Sequence, residues 1–332
     1  MKLSWQILKL QLKETFAIAY GNYDYREALL VALSKHGETG YGECTAINYY
    51  NINLTEFDLK LKAIQQFVEK HTIESPYAFS EFLFSLQLHP FLQSALDCAF
   101  WDLFGKLEKK TFFDIAQVSN NITIESSITI SIDTIENQIQ KITNSKWNHF
   151  KVKCKNYNEE QLQQLAALPQ NIAIDSNASF TAANCVQITK NKEFTKFKYF
   201  EQPMKIGSEN FSVLSENDAI NWMADEDCQT LTDLQKLKNH YQSINIKLVK
   251  CGGITPALQI ISEAKKMNFK IMIGCMTETT VGISADAVLA SLCDFADLDG
   301  ANLLANDIAT GTQICNGKIN LSDGYGLGIK LL

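Results

Sequence analysis

The sequence predicts an α/β protein built as a modified (β/α)8-type barrel with an α+β capping domain. Two observations predict it. From about residue 122, eight short β-branched or aromatic runs recur every 20 to 28 residues, separated by polar, helix-forming stretches. Before that point the texture differs, with alternating strand-like runs followed by long helical patterns. One strand and one helix per repeat imply parallel pairing, and eight repeats favour a closed barrel over an open sheet.

The capping unit is expected over residues 1–120. Up to about residue 44 it is β-rich, with HGETG (36–40) as the turn between two strands. Helical periodicity follows at 55–70, where Phe57, Leu59, Leu61, Ile64 and Phe67 fall near one side, and at 90–109, a long and very apolar helix. The barrel is expected over 121–312. Its runs are ITISI (128–132), HFKVKC (149–154), NIAIDSN (171–177), KFKYFEQP (196–203), NWMADED (221–227), INIKLVK (244–250), FKIMIG (269–274) and DFADLDG (294–300). The last segment, 313–332, reads as strand, turn and strand returning to the cap.

Composition narrows the function. A chain of 332 residues with 46% apolar content can bury a large core. A net charge of -7 without a basic cluster argues against nucleic acid and leaves small molecules as the expected partners. No run approaches the roughly 20 apolar residues that span a bilayer. The nine cysteines show no CxxC or Cys/His ligand spacing, so they read as ordinary thiols of a reducing, cytoplasmic setting. A homo-oligomer is left open.

In a barrel of this kind chemistry sits at the C-terminal ends of the strands. Ionisable residues gather there: Lys151 and Lys153 on the second run, Asp175 on the third, Glu201 on the fourth, Asp225 on the fifth, Lys247 on the sixth, Asp297 and Asp299 on the eighth. Charges inside an α/β core are costly unless paired or bound to something. Asp175, Glu201 and Asp225 come from successive strands and can converge; three hard oxygen ligands with no histidine or cysteine suit Mg2+. Lys153 and Lys247, on strands two and six of eight, would face each other across the mouth. A lysine desolvated near a divalent cation can have its pKa drawn toward about 7 to 8, as a general base needs. Thr129 and Cys275 are expected to line the site, and Lys250 to lie at the surface or in a secondary role. The bland alternatives are structural ion pairs for the acids and simple charge neutralisation for the lysines.

These elements together resemble the enolase superfamily in its muconate-lactonising subgroup, over essentially the whole chain. The resemblance rests on ALDCAFWDLFGK (95–106), KVK (151–153), DSN (175–177), EQP (201–203), ADE (224–226), NIKLVKCGGI (245–254) and YGLG (325–328). GCMTET (274–279) and DLDGA (297–301) make it most similar to dipeptide epimerases. The resemblance implies that Asp175, Glu201 and Asp225 hold Mg2+, with Asn177 behind them. It implies that Lys153 and Lys247 exchange an α-proton, that Lys151 stands by the substrate carboxylate, and that Asp297 and Asp299 hold a substrate ammonium. It also implies two substrate-choosing cap loops, at about 16–26 and 45–53. Epimerases acting on alanyl-glutamate place an arginine in the first, where this chain has Tyr20, with Arg26 in the strand beyond. Small or hydrophobic dipeptides of the Ala-Ala type are therefore expected over Ala-Glu. Tyr23, Tyr25, Tyr49 and Tyr50 would make the lid mostly uncharged. An o-succinylbenzoate synthase, a cycloisomerase or an N-acylamino acid racemase would use the same lysines and metal, and a non-catalytic binding protein is a remote alternative.

Overall fold

The computed structural model describes residues 1–19, 21–207, 209–215 and 219–332. Three antiparallel strands open the chain: β1 (Lys2–Ile18), β2 (Gly21–Lys35) and β3 (Glu38–Thr45), with His36 and Gly37 at the β2–β3 turn. The expected first cap loop is thus the end of a β-hairpin, whose pairing runs from Phe16 opposite Tyr23 to Ile18 opposite Gly21. Three helices cover the sheet: α1 (Leu54–Lys70), α2 (Pro76–Ser85), which sequence reasoning did not find, and α3 (Pro90–Glu108). Proline at the first position of α3 costs no hydrogen bond, and His89 Nδ1 accepts from Phe91 N at 3.2 Å to cap it. On β3, a side chain at Gly42 would stand 2.8 Å from Ala99 N, so the missing Cβ is what lets α3 lie flat on the sheet.

The barrel strands are β4 (Ile128–Ile130), β5 (His149–Lys153), β6 (Asn171–Asp175), β7 (Phe200–Glu201), β8 (Trp222–Ala224), β9 (Ser243–Ile246), β10 (Lys270–Gly274) and β11 (Phe295–Asp297). They pair in parallel and in sequence order. A bridge from Ser126 to Ala296 brings the last strand back beside the first. All eight expected runs therefore supply a strand, shorter than the runs themselves. The sixth ends at Ile246, and Leu248–Cys251 is already one turn of helix. The departure from a regular repeat lies after β7, where a short 3-10 turn, Phe211–Ser215, stands in the connection to β8.

The fold holds two large apolar clusters, one between barrel strands and their outer helices and one between the cap sheet and its helices. Helix α3 joins them: Trp101 Nε1 donates to Thr255 Oγ1 at 2.9 Å, and Asp97 Oδ2 accepts from Thr255 N at 3.0 Å. Gly253, at φ 120°, sits so close that a Cβ there would lie 2.6 Å from Asp97 Cβ. The C-terminal segment returns to α3, with Lys106 Nζ donating to Ile329 O at 2.8 Å and Leu327 N to Asp102 Oδ1 at 2.9 Å. It holds three short strands in two separate pairings. Lys318–Asn320 pairs with Gln313–Cys315, and Lys330–Leu331 with Ala309–Thr310.

Candidate active site

Parallel register delivers the charged residues to one end of the barrel. Lys153 lies opposite Asp175, and Asp175 opposite Glu201, so neighbouring strands present them at one level. Asp225 follows the last residue of β8, and Lys247 the last residue of β9. Three strands separate β5 from β9 in either direction round the barrel, which places Lys153 and Lys247 on opposite walls. Both line one cavity, together with Thr129, Lys151, Asn177, Asp225, Cys275, Asp297 and Asp299. Asp175 and Glu201 lie just beneath, both buried. Tyr20 lies outside the described residues.

The charges interlock. Lys153 pairs with Asp175, and Lys151 with Asp297, while Lys247 Nζ stands 2.8 Å from Asp225 Oδ2. Lys151 Nζ is also 3.4 Å from Glu201 Oε2 and 3.9 Å from Asp175 Oδ2. Burial opposes the charge on Lys151 and Lys247, but the surrounding acids, Asp297 foremost for Lys151 and Asp225 for Lys247, hold both pKa values above the usual lysine range. Burial also raises the pKa of Glu201, helped by the neighbouring charge of Asp175. Asp225 goes the other way: burial works against its charge, but Lys247 and Lys250 hold it far below the carboxylate range.

Three supporting residues orient the acids. Asn177 N donates to Asp175 Oδ1 at 2.9 Å from a left-handed backbone at φ 44°. Gln202 Oε1 accepts from Asp225 N at 3.0 Å, and Asn245 Nδ2 donates to Glu201 Oε1 at 2.7 Å. On the eighth strand, Ser127 Oγ donates to Asp297 Oδ1 at 2.7 Å, and Asp299 Oδ2 accepts from Thr129 N at 2.6 Å.

Among the described residues no three acidic, imidazole or thiol groups stand as an ion-ready cluster. Instead the ammonium groups of Lys151, Lys153 and Lys247 reach in among the carboxylates. Two features nonetheless fit a divalent cation. Glu201 Oε2 is buried without a hydrogen-bond partner, and the available donors are all hard carboxylate oxygens.

Sequence reasoning gave Lys250 a surface or secondary place; the structure buries it against Asp225. The signal was available, because Lys250 sits between Val249 and Cys251 in an otherwise apolar turn ended by two glycines. It set Arg26 in the strand beyond the first cap loop and left it out of the site. That residue does lie in β2, but it is buried and lines the cavity wall with Phe16, Ile18 and Leu303. The parity it shares with inward-facing Ala28 and Leu30 would have pointed to this. Of the lid tyrosines, Tyr49 and Tyr50 line the cavity, whereas Tyr25 is exposed.

Comparison with known proteins agrees with this architecture. A family model described as enolase C-terminal domain-like matches residues 134–332. The L-Ala-D/L-amino acid epimerase of Flavobacterium johnsoniae is 33% identical, with both chains covered in full. The L-Ala-D/L-Glu epimerase of Bacteroides thetaiotaomicron is 30% identical over 99% of this chain and 88% of its own. A dipeptide epimerase from Enterococcus faecalis, complexed with Mg and L-Leu-L-Tyr, superposes with a TM-score of 0.88 at 26% identity, covering 99% of this chain and 98% of the other. With its cap, its parallel barrel and relatives matched over most or all of their length, the chain belongs to the enolase superfamily, as an isomerase of the dipeptide epimerase-like kind.

Proposed function

We propose that this chain is a Mg2+-dependent dipeptide epimerase in which Lys153 and Lys247 exchange the α-proton of the substrate's C-terminal residue. One observation carries the reading: two buried lysines rise from opposite walls of a single cavity whose floor is lined by acids. A carbon held between them presents one face to each.

Removing a proton next to a carboxylate builds a second negative charge on the same group. A divalent cation held by Asp175, Glu201 and Asp225 would supply Lewis-acid stabilisation of that charge. Lys151, buried beside Glu201, adds a charge-assisted hydrogen bond that strengthens as the charge grows. One of the facing lysines takes the proton and the other, protonated, returns one to the opposite face, so configuration inverts. Asp299 and Asp297 fix the dipeptide ammonium at a set distance from the reacting carbon.

Small and hydrophobic side chains suit the wall formed by Phe16, Ile18, Ile47 and Leu303. The preference for Ala-Ala over Ala-Glu rests on this apolar wall and on Tyr20, which stands in the loop position where alanyl-glutamate epimerases carry an arginine. The same reading takes residues 121–312 as the catalytic unit, and nine thiols without a disulfide support a cytoplasmic setting. The test is a dipeptide panel in deuterated water, read by NMR. Loss of the α-proton signal of the C-terminal residue with appearance of the diastereomer supports the proposal; no exchange on any dipeptide overturns it.

A further inference from the structure

One carboxyl group of the cap reaches down to a wall of the barrel site. On β3, Gly40 and Gly42 face α3, where a Cβ on either would stand within 2.2 Å of a backbone oxygen of that helix. Strand alternation therefore turns Glu43 to the other side of the sheet, where it is buried. It meets Thr279, in the loop that follows β10. Thr279 N donates to its two oxygens at 3.1 and 3.2 Å, and the Thr279 hydroxyl donates to Oε2. Burying a carboxyl is costly without hydrogen bonds, and these bonds fasten the cap strand to the loop.

The loop is itself a wall of the cavity, lined by its residues Cys275, Met276 and Thr277. Three acids hold it. Glu278 Oε1 accepts from Met276 N at 2.8 Å, Asp307 Oδ2 accepts from Thr280 N at 3.0 Å and from its hydroxyl at 2.7 Å, and Glu43 takes Thr279. Of the three, only Glu43 belongs to the cap. The loop also lies directly on the residue after Asp299, since a Cβ on Gly300 would stand 2.3 Å from Met276 O and 3.0 Å from Glu278 N. Packing this close passes a shift of the loop to the backbone that carries Asp299, whereas Lys153 and Lys247 are set by β5 and β9. We infer that Glu43 is a positioning residue: by gripping Thr279 from the cap it seats the loop against Gly300 and sets the place of Asp299, so that the ammonium subsite takes its working geometry only with the cap docked on the barrel. This rests on the dipeptide reading above, which gives Asp299 its ammonium.

The test measures kcat and KM for epimerisation of alanyl-alanine by the wild type, Glu43→Ala, Glu43→Gln, Asp299→Asn and the double variant E43A/D299N, with thermal melts to establish folding. E43A should raise KM about tenfold, the size of one contact to a charged group, and leave kcat within about twofold. E43Q keeps an acceptor for Thr279 and should recover most of that KM. In the Asp299→Asn background, E43A should add less than about twofold, because the contact it acts through is already gone. If melts show E43A to be unfolded, Thr279→Val, which removes only the hydroxyl, takes its place, with a smaller rise in KM that likewise fades in the Asp299→Asn background. A KM at the wild-type value in the folded variants, an E43Q as weak as E43A, or penalties that simply multiply in the double variant would overturn the inference and leave the dipeptide reading standing. No epimerisation and no α-hydrogen exchange on any dipeptide by the wild type takes down both.

Discussion

Lys250 gathers four acceptors around one buried ammonium: Asp225 Oδ1 at 2.6 Å, Asp225 O at 2.5 Å, and Cys228 O and Asn245 O each at 3.0 Å. It fastens the ends of β8 and β9 together and occupies one oxygen of Asp225, leaving Oδ2 toward Lys247 and the cavity. Removing one partner of a buried pair leaves the other uncompensated, so Lys250→Met should destabilise the fold by roughly 3–5 kcal/mol in denaturant titration. It should also weaken Mg2+ binding measured by calorimetry, since Asp225 is no longer held. A variant as stable as the wild type with undiminished Mg2+ affinity would contradict this role. At the proposed ammonium site the two aspartates are not equivalent. Asp297 already carries Lys151, whereas Asp299 is held by the Thr129 backbone and is the cleaner probe. Asp299→Asn should raise KM for dipeptides about tenfold or more, because it removes a charge-assisted contact. An unchanged KM would assign the ammonium elsewhere.

Helix α3 is where the cap meets the barrel, and its buried acid gives that contact a pH dependence. Burial pushes Asp97 up to about 7 from its ordinary 3.8, against the opposing bonds from Thr255. Between about pH 4 and pH 7 the folded chain therefore holds a proton that the unfolded chain releases. The stability this group contributes is complete below about pH 4 and is lost as pH rises through about 7. Burial likewise takes Glu43, on β3, up to about 8, aided by the charge of Glu278. The melting temperature of Asp97→Asn should accordingly fall less between pH 5 and pH 8 than that of the wild type; equal slopes would refute the assignment. Neither acid could be read from sequence as an interface group. Asp97 sits in an apolar helix where its partner, Thr255, is 158 residues away. The barrel strands were readable because each is a β-branched or aromatic run at regular spacing. Helix α2 was not, because PYAFSEFLFS is apolar on nearly all sides and carries no clear period.

Over the whole molecule, the barrel brings the acids and lysines together while the cap closes over them and supplies Arg26, Tyr49 and Tyr50. The barrel half of the site could be read in advance, since residues at strand ends keep their level when strands pair in register. The cap half could not, because which hairpin residues face the mouth depends on packing between elements distant in sequence. The register shift in β1 between Gln11 and Phe16 sets that orientation, and no sequence signal announces it. The account as a whole depends on two amines acting on opposite faces of one carbon. Its most direct measurement follows α-hydrogen exchange of each dipeptide diastereomer in deuterated water by the wild type, Lys153→Ala and Lys247→Ala. Each single variant should abolish epimerisation while leaving detectable exchange, with retention, on only one diastereomer, the opposite one for each lysine. Epimerisation that survives loss of either lysine, or exchange on the same diastereomer by both variants, would contradict it.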